Sequence, residues 1–520
     1  MSPATTLRTR LGVPAIALAA VLTGAGPAGA APDHDRAPVV ATTGGLVRGV
    51  ATATTDTFLG LPYAAPPVRW QPPQPAARWS GIRDAAEFAP HCAQPAGPFG
   101  AASTSEDCLY LNVFTPSGES NARHRNPVLV WIHGGALVTG MSDTYDPTRL
   151  VAGDDVVVVT INYRLGALGF LAHPALAAAT GGPTGNYGLM DQQAALRWVQ
   201  RNIARFGGNP HDVTIFGESA GGLSVLSQLV SPGARGTFDR AVVQSGAYAL
   251  DLADQARAEV AGRTYAAAVG CPDQSAACLR ALPVPALLAG QSRGYEPNVD
   301  GRVLPGSIGT ALAAGDFARV PVINGSTGDE WRLFVGLNEL AGQPVTAANY
   351  QAQISATLGV PAPVAAVIAA RYPLSAYPSP AEALGAVGTD AIFACPGLTV
   401  SRSVSRFVPT YQYEFNDRDA PPLLPPVSFP YGAFHAAEIA YLFPPETVPF
   451  TPAQHRLSEA MRGYWAGFAR LGTPNTHRTP FWPRFTASGE RVQSLVPPHP
   501  RTATGFATAH KCAFWAAATQ

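Results

Sequence analysis

The sequence predicts an α/β fold, a large, mostly parallel sheet flanked by helices, on three observations. Short apolar strand patterns alternate with helical ones through the first half of the chain. Hydrophobic residues make up 47% of the 520 residues and charged residues only 13%, enough apolar surface for a large core. No internal repeat or linker divides the chain, so one domain is expected over residues 31–520.

Taken in order, residues 1–30 read as an export signal. Arg8 and Arg10 precede the apolar run Leu11 to Leu22, and Ala28-Gly29-Ala30 has the small-x-small cleavage pattern. The mature protein is therefore expected outside the cell, cut near Ala30. Proline-rich stretches at 62–76 and 420–430 read as surface loops. Val128 to Ile132 is an apolar strand that runs straight into His133-Gly134-Gly135-Ala136, and Val156 to Ile161 is a second strand. Leu196, Val199, Ile203 and Phe206 recur at helical spacing within 189–206. Further strands are expected at Val213 to Phe216, Ala241 to Val243 and Val322 to Gly325, and an amphipathic helix carries Leu457, Met461, Tyr464 and Phe468. No segment reads as a stable membrane insertion.

Charge excludes some partners. Lys+Arg and Asp+Glu balance at 35 each, which argues against nucleic acid or another polyanion. In an exported protein the six cysteines are expected in disulfides, and fifteen pairings are open on spacing alone. Neighbour pairing is the simplest. Zinc-binding Cys-x-x-Cys and His-Glu-x-x-His spacings are lacking, and neither a metal nor a cofactor is expected.

The chemistry centres on Gly217-Glu218-Ser219-Ala220-Gly221, a Gly-x-Ser-x-Gly turn between the strand at 213–216 and the apolar run Leu223 to Leu226. Glycines on both flanks admit the tight turn and keep side chains away from the serine. A serine hydroxyl attacks only when a base takes its proton, and in this arrangement the acid and then the histidine follow in the chain. Five histidines do: His435, His455, His477, His499 and His510. His435 sits among small residues and glycine that suit an exposed loop. The others lie at a helix start or in polar, proline-rich tail sequence. Asp329 and Glu330, just beyond the strand at 322–325, are both candidates for the acid.

Motifs spread along the chain resemble those of the type-B carboxylesterases, the family that includes the cholinesterases. They include Leu59-Gly60-Leu61-Pro62-Tyr63-Ala64, Ser105-Glu106-Asp107-Cys108-Leu109-Tyr110-Leu111-Asn112-Val113, Asn162-Tyr163-Arg164-Leu165-Gly166 and Phe206-Gly207-Gly208-Asn209-Pro210. Phe468-Ala469-Arg470-Leu471-Gly472-Thr473-Pro474-Asn475 belongs with them. The resemblance implies the α/β-hydrolase fold and a secreted hydrolase of uncharged carboxylic esters, with an acyl-enzyme on Ser219. It places Glu330 in the acid position, although Trp331 stands where glycine usually follows, and His435 in the base position. Gly135, Ala136 and Ala220 take the positions of the oxyanion donors, with alanine at 136 where many relatives have glycine. Glu218 and Ser245 are further candidates around the site. The resemblance also implies the disulfides Cys92–Cys108, Cys271–Cys278 and Cys395–Cys512.

Two other readings fit the same scaffold. A lipase would add an interface-responsive lid, and an adhesion protein would typically lack the nucleophile that Ser219 supplies. The expected partner is a small-molecule ester. The identity of that ester and the oligomeric state are not legible in the sequence. In the cholinesterases a tryptophan in the first disulfide loop recognises quaternary ammonium. Here the segment between Cys92 and Cys108 has Phe99 as its one aromatic residue, so choline esters are expected to be poor substrates.

Overall fold

The computed structural model describes residues 37–118, 125–291, 294–444 and 449–518; the export signal expected over 1–30 lies outside them. Three short strands, β1 (Val39–Ala41), β2 (Leu46–Arg48) and β5 (Ile82–Asp84), form a small sheet. The other eleven form one large sheet. They are β3 (Val50–Ala51), β4 (Thr55–Pro62), β6 (Tyr110–Pro116), β7 (Asn126–Ile132), β8 (Val157–Ile161) and β9 (Gly208–Glu218), then β10 (Arg240–Gln244), β11 (Val322–Thr327), β12 (Thr410–Phe415), β13 (Val492–Leu495) and β14 (Arg501–Ala503). Their spatial order is β14-β13-β12-β11-β10-β9-β7-β8-β6-β4-β3. From β8 across to β13 every pairing is parallel, and the pairings outside that run are antiparallel.

The middle strands are largely buried because helices cover both faces of a parallel sheet. β7 and β8 expose none of their residues. Side-chain alternation then divides each strand between two cores. Val128, Val130 and Ile132 of β7 share a core with residues of the helices Tyr187–Asn202 and Ala220–Val230. Leu129 and Trp131 enter the other, with Leu457, Met461 and Phe468 of the helix Pro452–Leu471. That helix starts at a capping box in which Thr451 and Gln454 bond each other's backbone N–H. The predicted helix at 189–206 tightens at its end: its α-helical part stops at Asn202, and Ile203–Phe206 is a 3₁₀ turn.

A third apolar cluster joins the helices Tyr350–Leu358, Ala362–Arg371, Pro380–Gly388 and Cys395–Val404 with Trp515 near the end of the chain. Between the last two helices, Thr389–Ala394 is a π-helical turn. The run Pro380–Val404 is long and apolar enough to cross a membrane, and most of it is buried inside the protein. Disulfides join Cys92 to Cys108, Cys271 to Cys278 and Cys395 to Cys512, the pairing that the family resemblance implies.

Candidate active site

β9 carries the chain into the centre of the sheet, and Ser219 makes the turn from it into the helix Ala220–Val230. The serine pays in strain for its position, with φ 56° and ψ −119°, a conformation that L-residues seldom adopt. The turn closes only because Gly221 has no side chain: a Cβ there would lie 1.9 Å from the carbonyl oxygen of Ile132. Ser219 N–H donates to the Gln244 carbonyl at 2.9 Å, which ties the turn to β10.

The turn after β7 packs beside this elbow. Gly135 and Ala136 both have positive φ, 101° and 56°, and a Cβ on Gly134 would stand 3.2 Å from the Cβ of Ser219. Tyr163 holds the start of the turn, with its hydroxyl donating to the His133 carbonyl at 2.6 Å and its ring stacked on that of His133. Burial lowers the His133 pKa to about 4, so its imidazole is neutral. Ala220 is the first residue of its helix, where a backbone N–H has no intrahelical acceptor.

Two loops from the carboxyl ends of β11 and β12 supply the acid and the base. Glu330 is fully buried, and its Oε2 lies 2.5 Å from Nδ1 of His435. Its other oxygen accepts from the Ser245 hydroxyl at 2.6 Å and from the Thr327 N–H at 2.8 Å. The carboxylate is thus held by three donors, and Ser245 is one of them. Asp329, the other candidate acid, turns away: it pairs with Arg332 at 3.1 Å and accepts the Ala433 N–H at 3.0 Å. His435 is 4% exposed, which corrects the expectation of an exposed loop. Phe334 and Phe393 pack on the imidazole, with ring centroids 5.2 and 4.9 Å away.

Glu218 lies on the far side of the imidazole. Its Oε1 is 3.2 Å from His435 Nε2 but without hydrogen-bond geometry, so Nε2 keeps no hydrogen-bond partner. Burial alone would lower the histidine pKa; the negative charges of Glu218 and Glu330 override it and raise the value above 6.5. Glu218 and Glu438 are pushed upward by burial in turn. Glu438, which no argument from sequence singled out for a role, accepts from the Tyr413 hydroxyl at 3.3 Å. Its place three residues after His435 was the available signal.

The remaining histidines are elsewhere. His455 packs edge-on against Phe450, and His477 and His499 are exposed. His510 is buried between two carboxylates in the third cluster, not in an open tail.

Ser219 and Ala136 open into a cavity of about 1240 Å³. Its walls include Tyr248, Trp331, Phe334 and Phe393, the last from the π-helical turn. Sequence reasoning noted Trp331 but missed the rest of this wall, because Tyr248, Phe334 and Phe393 come from segments far apart in the chain.

A mostly parallel sheet with a serine elbow at its centre and a Glu–His pair near it is the arrangement of an α/β-hydrolase. The chain belongs to the carboxylesterase family, whose profile matches residues 36–515. It is 37% identical to a human (Homo sapiens) cocaine esterase over 89% of this chain and 87% of that one. It is 34% identical to the para-nitrobenzyl esterase of Bacillus subtilis over 86% and 92% of the two chains. A solved structure of PNB esterase superposes with a TM-score of 0.76 at 32% identity, covering 90% of this chain and 97% of that one.

Proposed function

We propose that this protein is a secreted serine esterase that hydrolyses carboxylic esters through an acyl-enzyme on Ser219. The observation that carries the reading is the Glu330–His435 hydrogen bond at 2.5 Å, which leaves Nε2 unpartnered beside the elbow. Glu330 fixes the tautomer with its proton on Nδ1 and stabilises the imidazolium that forms. Nε2 takes the Ser219 proton as the oxygen attacks the ester carbonyl, then returns it to the departing alcohol. Water releases the acid by the same sequence. The backbone N–H groups of Gly135, Ala136 and Ala220 serve the developing oxyanion, where one donor is worth about 3–4 kcal/mol in the transition state. The largely apolar lining of the cavity suits the hydrocarbon parts of an ester. Three disulfides and the signal pattern at 1–30 support export, without stable insertion in a membrane.

The test is Ser219→Ala, which deletes only the attacking oxygen. Turnover of a para-nitrophenyl ester should fall by about 10⁶-fold while the circular dichroism spectrum stays the same. An organophosphonate should label the native protein at Ser219 alone. A labelled serine elsewhere, with the alanine variant still active, would overturn the reading.

A further inference from the structure

The described residues that line the cavity at Ser219 include one charged side chain, the carboxylate of Glu296. Its segment is fastened to the catalytic machinery. Tyr295 N–H donates to the Ala136 carbonyl at 3.1 Å, so Glu296 is one residue from a direct bond to the candidate oxyanion turn. Two residues further, Asn298 and Asn186 exchange hydrogen bonds of 2.8 and 3.1 Å between side chain and backbone and fix the other side of the segment. The carboxylate makes no hydrogen bond or close ion pair among the described residues, and the positive charge of Arg257 acts on it from further away. Tyr248 lines the same cavity as Glu296. The ring of Tyr248 is 5.7 Å from that of Phe393, which in turn packs on His435.

We propose that Glu296 sets the charge preference of the cavity: of esters alike in size, one with an ammonium group is cleaved fastest and one with a carboxylate slowest. The inference rests on the esterase reading and reverses the expectation drawn from the Cys92–Cys108 segment. Phe99 of that segment is 37% exposed and is not among the residues lining the cavity. Recognition passes instead to the cavity lining, which holds both aromatic side chains and the Glu296 carboxylate. A cation gains from both, since ring faces carry partial negative charge and the Glu296 carboxylate attracts it, against the opposing but more distant charge of Arg257. Glu296 is solvent-accessible, so its share is that of an exposed ion pair, about fivefold in rate selectivity.

The experiment compares kcat/KM for three butyrate esters that differ at one position. They are the choline ester, its neutral 3,3-dimethylbutyl counterpart and the 3-carboxy-3-methylbutyl ester. The native enzyme should rank them in that order, and the choline-to-neutral ratio should fall about fivefold in Glu296→Gln and in Glu296→Ala. High salt should compress the native ratio toward that of the variants. Reading ratios cancels any uniform loss of rate in a variant. A native preference for the neutral ester, or a ratio that both variants leave unchanged, overturns the inference while the esterase reading stands. If none of the three esters and no para-nitrophenyl ester is turned over, the esterase reading fails and takes the inference with it.

Discussion

Three carboxyl groups, Glu218, Glu330 and Glu438, act on the imidazole of His435, and all four side chains are buried. Only Glu330 bonds it directly, and the other two act through their charge. A neutral histidine is required to accept the serine proton, so activity should fall as pH drops through the His435 pKa. The carboxylates stabilise the imidazolium and move that acid limb above 6.5, the value an unperturbed histidine would show. Glu218→Gln removes one negative charge next to Nε2. The imidazolium then loses support, the pKa falls, and the acid limb of kcat/KM should move to lower pH. A pH profile of the variant that overlays the native one would contradict this electrostatic account.

At the scale of elements, the elbow depends on how closely the helix Ala220–Val230 approaches β7. Gly221→Ala places a methyl group into the Ile132 carbonyl, a clash with backbone that no rotamer relieves. Overpacking of this kind costs about 1–3 kcal/mol or more. Thermal melting should show a lower Tm, and the variant should lose activity because Ser219 moves with the displaced turn. Gly270, where an added Cβ would meet no atom within 4 Å, is a useful contrast. Its φ of 95° makes Gly270→Ala strained through the backbone alone, so the two variants separate a steric cost from a conformational one.

At the scale of the whole molecule, the end of the chain is fastened back onto the body by charge and by a covalent bond. His510 lies 2.6 Å from both Asp390 and Glu414, and the neighbouring Cys512 is bonded to Cys395. Burial alone would lower the His510 pKa, but its two carboxylate partners raise it to about 10. The folded-state pKa is above the unfolded one, near 6.5, so the stabilisation is complete below about pH 6.5. It is lost as pH rises toward 10. His510→Gln removes the cation shared by Asp390 and Glu414, leaving Asp390 with only the more distant Lys511, and should lower stability at pH 7 by about 3 kcal/mol. Denaturant melts should show that the difference from the native protein narrows as pH approaches 10. Reduction should also destabilise the protein, since the Cys395–Cys512 bond closes a span of 117 residues and is worth about 4–5 kcal/mol in the chain-entropy description. No cysteine lies at Ser219, Glu330 or His435, so brief reduction at low temperature should spare ester hydrolysis.

The strands at 128–132, 157–161 and 213–216, the elbow at 217–221 and the helix at 452–471 were legible in the sequence because each depends on local pattern: a β-branched run, a glycine spacing, a 3.6-residue period. Family motifs carried the choice of Glu330 over Asp329, which local pattern left open. Other features depend on residues far apart in the chain. His435 looked like a loop residue because nothing nearby in sequence reveals that Phe334 and Phe393 bury it. His510 looked like part of a tail because its carboxylate partners lie 120 and 96 residues away. The cavity wall and Glu296 were decided only when the sheet brought separate loops to one end, since a side chain's charge and shape are local but the field and solvent it meets are set by its neighbours in space.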